Sequence, residues 1–436
     1  MDRGIYHYIK IMVDGIQLID SHEHIIPEWQ RISMPVDAFT LVSFYAILDL
    51  ISAGMSPDQT EMLQSPDVPP EKKWKMFAPF WEKIRFTGYG QAVIISMRDL
   101  YGIEDFNKDT YRELSDRVAK KNKKGLYREV MKKRANIDLA ILNILESRTK
   151  EQLDEVDRTI FAPVARDTLQ KFTILYNRTG LDVIEQENNI AVHSLKDLVT
   201  AMEIAFEKAV KAGVVGIKNA AAYNRIIYWE KVTTHDAEIS FNKLFTHPVE
   251  GVSMTDAKPL QDYMFHQIIQ RAIEAGLPIQ IHAGIHARNE CNVTDSKPTH
   301  LINLFLEYRE AKFDIFHAGY PYVSELATIA KNFPNVYIDL CWVPLISPTV
   351  AKQALHEWIE TIPVNKIFAF GGDSVHVESA YAHSVMARDV VTRVLTDRIE
   401  NGYINEKQAE IIAKKILYDN AYEFFKLEKY KKKFKV

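Results

Sequence analysis

The sequence predicts an α/β protein, a (β/α)8 TIM barrel with a helical insertion after the first strand. Three observations carry this expectation. Short apolar runs alternate with longer stretches of helical period along most of the 436 residues, as in parallel βαβ units. Eight such runs can be read, the number that closes a barrel. Several of them end in histidine or aspartate, and barrel sites gather at the C-terminal ends of strands. The length suits one barrel with insertions, so residues 1–436 are expected to form a single barrel, with 27–134 as an insertion within it.

The expected strands are 16–21, 137–143, 172–176, 214–219, 278–283, 313–318, 335–341 and 367–371. Between the later ones lie amphipathic stretches of helical period at 194–212, 261–276, 299–308, 323–333 and 347–362. Gly213 and Gly276 stand where helix C-caps are expected. Residues 27–134 break the rhythm. They show helical patterns rich in aromatic residues, such as Trp74-Lys75-Met76-Phe77-Ala78-Pro79-Phe80-Trp81. A structureless stretch of that length is improbable within a compact domain. It is read as helices packed over the barrel mouth, where they can shape a pocket; a separate helical domain is the alternative.

Composition narrows the function classes. Hydrophobic residues make up 47% and charged residues 26%, with a formal net charge of -4, so there is no electrostatic case for nucleic acid or an anionic membrane. Two cysteines, Cys291 and Cys341, are too few for a disulfide framework and are read as reduced. The first 13 residues lack a signal-peptide pattern and no apolar run is long enough to span a bilayer; a cytoplasmic protein is expected. The lysine-rich tail from Lys426 reads as a solvated, fraying end. The partner implied is a small-molecule substrate, and a homo-oligomer is compatible with the sequence.

Chemistry concentrates at the strand ends. After Ile16-Gln17-Leu18-Ile19 comes Asp20-Ser21-His22-Glu23-His24. Side chains alternate across a strand, so His22 and His24 face one side and can close on one ion, while Glu23 faces the other. Imidazole suits zinc, iron, copper or nickel. Ile279–Gly284 ends in His282, Phe313–Gly319 carries His317, and Phe368–Ser374 ends in Asp373. Each alone has a plainer explanation: a core histidine, or an aspartate capping a helix. Together they converge on one mouth and read as a metal site.

At these residues the sequence resembles the amidohydrolase superfamily, in its amidohydrolase-2 branch of metal-dependent barrel enzymes. Asp419-Asn420-Ala421-Tyr422 adds to the match. The likeness is strongest to amidohydrolases found alone or fused ahead of glutamine-synthetase-like domains, through Val215–Tyr223 and Pro259–Tyr263. It covers the first strand and most of the chain from Ser194, but little of 27–134. The resemblance implies that His22, His24, His282 and Asp373 bind one catalytic divalent metal, with zinc the expected ion. Asp373 would also move the proton as general base, and His317 would polarise substrate oxygen or serve as a further ligand. In binuclear relatives a lysine on the fourth strand is carboxylated and bridges a second metal. Lys218 stands on that strand, but an unmodified lysine binding an anionic substrate is the favoured reading.

Tyr223 and Arg225, in the loop beyond Lys218, are candidates to complete an anion pocket; for Arg225 a salt bridge is the competing role. Arg288 and His376 are further mouth candidates. The expected enzyme is a metal-dependent hydrolase attacking an amide, ester or related bond of a small carboxylated substrate. Relatives that decarboxylate aromatic acids or isomerise uronates define the alternative, and an inactive metal-binding scaffold a third.

Overall fold

The computed structural model describes residues 3–143, 155–246 and 250–436. Eight parallel strands run in chain order. β1 (Leu18–Glu23), β2 (Ile137–Asn143) and β3 (Phe161–Val164) form one arc; β4 (Ile217–Asn219), β5 (Ile279–Ile281), β6 (Phe313–Ile315), β7 (Val336–Asp339) and β8 (Ile367–Phe368) form the other. Backbone hydrogen bonds join the arcs at both seams. Ala165 donates to Gly216 and Lys218 to Ala165, at 3.0 and 2.9 Å; Ser21 donates to Phe370, Asp373 to His22 and His24 to Ser374, at 3.1, 2.7 and 2.8 Å. The second seam joins the strand bearing the histidine pair to the segment bearing Asp373.

Seven strands lie where the sequence places them: β2 has the expected bounds, β1 is shifted two residues along the chain, and the other five are shorter. The expected strand 172–176 is a correction. Phe172 and Thr173 end a helix (Asp167–Thr173), and the third strand is Phe161–Val164. A short apolar run does not separate a strand from a buried helix end, and Pro163 argues against a strand by lacking an N–H. Here its carbonyl still accepts from Val215 at 2.9 Å.

Between β1 and β2 the chain forms helices Glu28–Ser33, Tyr45–Ser52, Pro57–Gln64, Pro70–Ile84, Gly88–Tyr101 and Tyr111–Lys121. Phe39, Trp74, Phe77, Trp81 and Phe106 pack ring against ring, and their apolar cluster is continuous with barrel residues such as Ile279 and Ile315. The later helices follow their capping signals. Ser194 and Asp197 cap Leu195–Ala212 reciprocally, and Gly213 ends it at φ 84°, a conformation glycine adopts without a Cβ penalty.

The lysine-rich tail is not a fraying end. It forms a helix, Leu427–Phe434, whose Leu427 and Tyr430 are buried against Ile19, Leu139 and Val164. The Tyr430 hydroxyl donates to the Phe161 carbonyl at 2.7 Å. Among the described residues no helix is long and apolar enough to cross a membrane.

Candidate metal centre and active site

His22 and His24 leave β1 on the same side, and their Nε2 atoms stand 3.2 Å apart. Asp373 Oδ1 lies 3.1 Å from His24 Nε2 and 3.6 Å from His22 Nε2. His24 donates from Nδ1 to the Asn143 carbonyl at 3.0 Å, so Nε2 is the nitrogen turned to the other two side chains. Burial holds His22 well below the usual imidazole pKa, helped by the charge of Lys218, so the His22 ring is neutral. Bonds of ~2.0–2.1 Å at tetrahedral angles place donor atoms about 3.3 Å apart, so this trio matches the spacing of ligands on one ion. Burial would raise the Asp373 carboxyl, but the His24 hydrogen bond and the charges of His24, His317 and Lys218 bring it to about 2. It is an anion at any working pH.

His282 stands apart from that trio. Its Nε2 donates to the Ile285 carbonyl at 2.8 Å, and its Nδ1 faces His317 Nε2 at 3.1 Å. His317 in turn donates from Nδ1 to the Cys341 carbonyl at 3.0 Å, and its Nε2 lies 3.7 Å from Asp373 Oδ2. With one nitrogen of each ring committed to a backbone carbonyl, the facing nitrogens have to share a single proton to bond. Among the described residues, the groups close enough to hold one ion are His22–His24–Asp373 and His317–Cys341–Asp373; His282 is in neither. The sequence expectation counted four ligands, and the structure brings three of them together.

The trio opens on a cavity of about 190 Å³, lined also by Phe44, Tyr45, Asn143, Arg166, Lys218, Tyr223 and His282. Lys218 is buried with its Nζ 3.3 Å from the centre of the Phe316 ring. Burial lowers its pKa to about 7, against the pull of Asp373, so the amine is readily neutralised. Among the described residues, Lys218 Nζ, Arg166 Nε, both amide atoms of Asn143 and the Tyr45 hydroxyl lack hydrogen-bond partners. Unpartnered polar groups around a cavity are where a ligand supplies the missing bonds. Tyr223 is at the wall, its hydroxyl accepting from the Ala287 N–H at 3.0 Å.

Arg225 does not line this cavity. It is buried in an ion pair with Asp262 at 2.5 Å, donates to Gln261 at 3.0 Å and lies over the Trp229 ring. Its role as a pocket cation is corrected to that of a structural anchor. Removing one partner of a buried pair strands the other charge, at a cost of about 3–5 kcal/mol. Arg225→Ala should lose stability of that order in denaturant unfolding and keep its metal affinity; a loss below about 1 kcal/mol would contradict the anchoring role. Arg288 is exposed, its guanidinium 5.8 Å from the Tyr223 ring and outside the lining. His376 turns to the Ser43 hydroxyl at 2.8 Å, beside a different cavity of about 500 Å³.

Asn143, Arg166, Phe44 and Tyr45 were not among the sequence candidates. Arg166 follows the strand that the sequence hid. Phe44 and Tyr45 come from the insertion, which therefore contributes to the pocket wall.

A sequence profile described as Amidohydrolase matches residues 196–427. Protein fluG of Emericella nidulans is 27% identical over 223 residues, 49% of this chain but only 26% of that protein. A uronate isomerase of Nostoc punctiforme is 20% identical over 98% of this chain and 96% of its own length. Among solved structures, uronate isomerase of Thermotoga maritima superposes with a TM-score of 0.80 at 16% identity, covering 97% of each chain.

Proposed function

The chain belongs to the amidohydrolase family, whose members are metal-dependent barrel enzymes, and from that premise we propose that it is a zinc-dependent hydrolase of a small carboxylated amide or ester. One observation carries the reading. The His22–His24–Asp373 trio lines one cavity with Lys218 and Asn143, whose side-chain polar atoms are unpartnered, and with Arg166, whose Nε is unpartnered while Nη1 reaches Asp167 at 3.4 Å, so a metal centre and an anion-recognising wall serve one small ligand.

Two imidazoles and a carboxylate suit zinc, which when bound polarises the scissile carbonyl and acidifies water at neutral pH. The protein's own groups do the rest. Lys218 and Arg166 receive the substrate carboxylate, with Asn143 beside them to bond a neighbouring polar group. Asp373, held charged, takes the proton from attacking water and returns it to the leaving amine or alcohol. His317 Nε2 lies 3.7 Å from Asp373 Oδ2, at the edge of the same centre.

The end-to-end likeness to a curated uronate isomerase supports a second reading, isomerisation of a hydroxylated carboxylate at the same centre. Zinc-loaded protein should be presented with N-acyl amino acids and with hexuronates, following amine release and ketose formation separately. Amine release alone supports hydrolysis, and ketose formation alone replaces it with isomerisation. Lys218→Met should raise KM at least about tenfold, the loss of one charged hydrogen bond, with metal retained. Equal turnover of neutral amides would remove the anion-binding wall from the reading.

A further inference from the structure

Asp373 occupies an unusual backbone position. Its φ is 50°, in the left-handed region that residues with a Cβ enter at a cost. Such a conformation persists only where the surroundings hold it. Here the surroundings are β1. Three successive N–H groups of the loop are captured by three β1 residues: Gly372 donates to Asp20 Oδ1 at 3.0 Å, Asp373 to the His22 carbonyl at 2.7 Å, and Ser374 to Glu23 Oε2 at 2.6 Å. The Ser374 carbonyl accepts from the His24 N–H at 2.8 Å.

Alternation explains why Glu23 can do this. His22 and His24 face the cavity, so the residue between them faces the seam with β8. Its carboxyl group is fully buried there and fits only because residue 372 has no side chain: a Cβ at Gly372 would lie 1.9 Å from Glu23 Oε1. The Glu23 side chain thus occupies the gap where a regular ladder between β1 and β8 would continue.

We infer that Glu23 is a positioning residue that clamps the Gly372–Ser374 loop and so aims Asp373 at the histidine pair. This rests on the metal-site reading, because the alignment of Asp373 matters only if the trio shares an ion. The carboxyl oxygen on Ser374 N is the working atom; the charge of Glu23 is not required, since an amide oxygen at the same place accepts the same N–H.

The test compares Glu23→Ala with Glu23→Gln and Glu23→Asp. Glutamine keeps the length and an accepting oxygen, whereas aspartate falls one methylene short. In metal-free protein, hydrogen exchange of the peptide spanning 371–376 should accelerate in the alanine and aspartate variants, with the rest of the barrel as protected as in wild type. Zinc affinity, measured by competition with a chromophoric chelator, should fall about 10–100-fold in those two variants, as when an outer partner of a metal ligand is lost. Glutamine should remain within about threefold of wild type, a difference below one kcal/mol. The cobalt(II) visible spectrum should change in the same order.

Wild-type exchange and zinc affinity in Glu23→Ala would overturn the clamp. If the alanine variant does not fold, the glutamine–aspartate pair decides: equal affinities overturn the inference, and a deficit in aspartate alone sustains it. Should wild type bind no zinc at all, the metal reading fails instead, and the exchange result still decides whether Glu23 holds the loop.

Discussion

His22→Ala should abolish metal binding, while His282→Ala should leave it in place. The contrast follows from the geometry: His22 Nε2 lies 3.2 Å from His24 Nε2 and 3.6 Å from Asp373 Oδ1, whereas His282 donates from Nε2 to the Ile285 carbonyl and turns Nδ1 to His317, outside the trio. Wild-type protein and His282→Ala are expected to carry about one zinc per chain, the content of a single three-ligand site. His22→Ala should carry almost none after dialysis against chelator. Its fold should survive, because among the described residues the substitution removes one side-chain hydrogen-bond contact, the 3.2 Å approach to His24 Nε2, while His22 Nδ1 has no partner to lose.

A stability measurement separates metal loss from misfolding. Zinc at a hundred times its Kd should stabilise wild type by about 2.7 kcal/mol, since it binds only the folded chain. The same addition should leave the His22→Ala unfolding curve unmoved. If His282→Ala also lost the metal, the four-ligand set expected from the sequence would be restored. Two zinc ions per wild-type chain, with one lost in Lys218→Ala, would make Lys218 a bridging ligand rather than an anion receptor.

These two variants mark where the sequence was readable. The histidine pair on β1 was legible because strand alternation fixes the relative direction of residues two apart, whatever the rest of the fold does. Asp373 was legible only jointly: alone it reads as a helix cap, and it became a ligand candidate because several strand ends converge on one mouth and the family resemblance includes an aspartate there. The share of His282 was not legible, because its ring direction depends on the carbonyl of Ile285 and on a histidine 35 residues away. Arg225 misled for the same reason. Nothing local distinguishes a pocket arginine from one pinned by Asp262 on a distant helix. Arg166 was missed with its strand, since Pro163 disguised β3, and Asn143, though on an expected strand, carries no ligand signature of its own. Glu23 was read as facing away from the histidines. What it faces, the backbone of residues 372–374, became visible only once β8 was set beside β1.

Asp373→Asn should lower turnover by roughly 10²–10⁴-fold, the range for loss of a general base, while retaining most of the metal. Asparagine keeps the size of the side chain and one oxygen on the side of His24, but it cannot hold the proton that a carboxylate takes from water. The ionisation argument fixes the shape of the expected result. With the neighbouring imidazoles and Lys218 holding the Asp373 carboxyl at about 2, the group is charged across the whole range in which the enzyme can be assayed. Loss of the base should therefore depress the rate by a similar factor at every pH, without moving an acidic limb. A limb near neutrality in wild type would belong to another group and should persist in the variant. The Glu23 clamp sharpens the comparison, since its hydrogen bond to Ser374 N does not depend on the residue at 373 and should hold asparagine in the same place. Zinc-replete Asp373→Asn turning over at the wild-type rate would show that the carboxylate serves only to complete the metal site, and the proton would have to move through the His282–His317 pair instead.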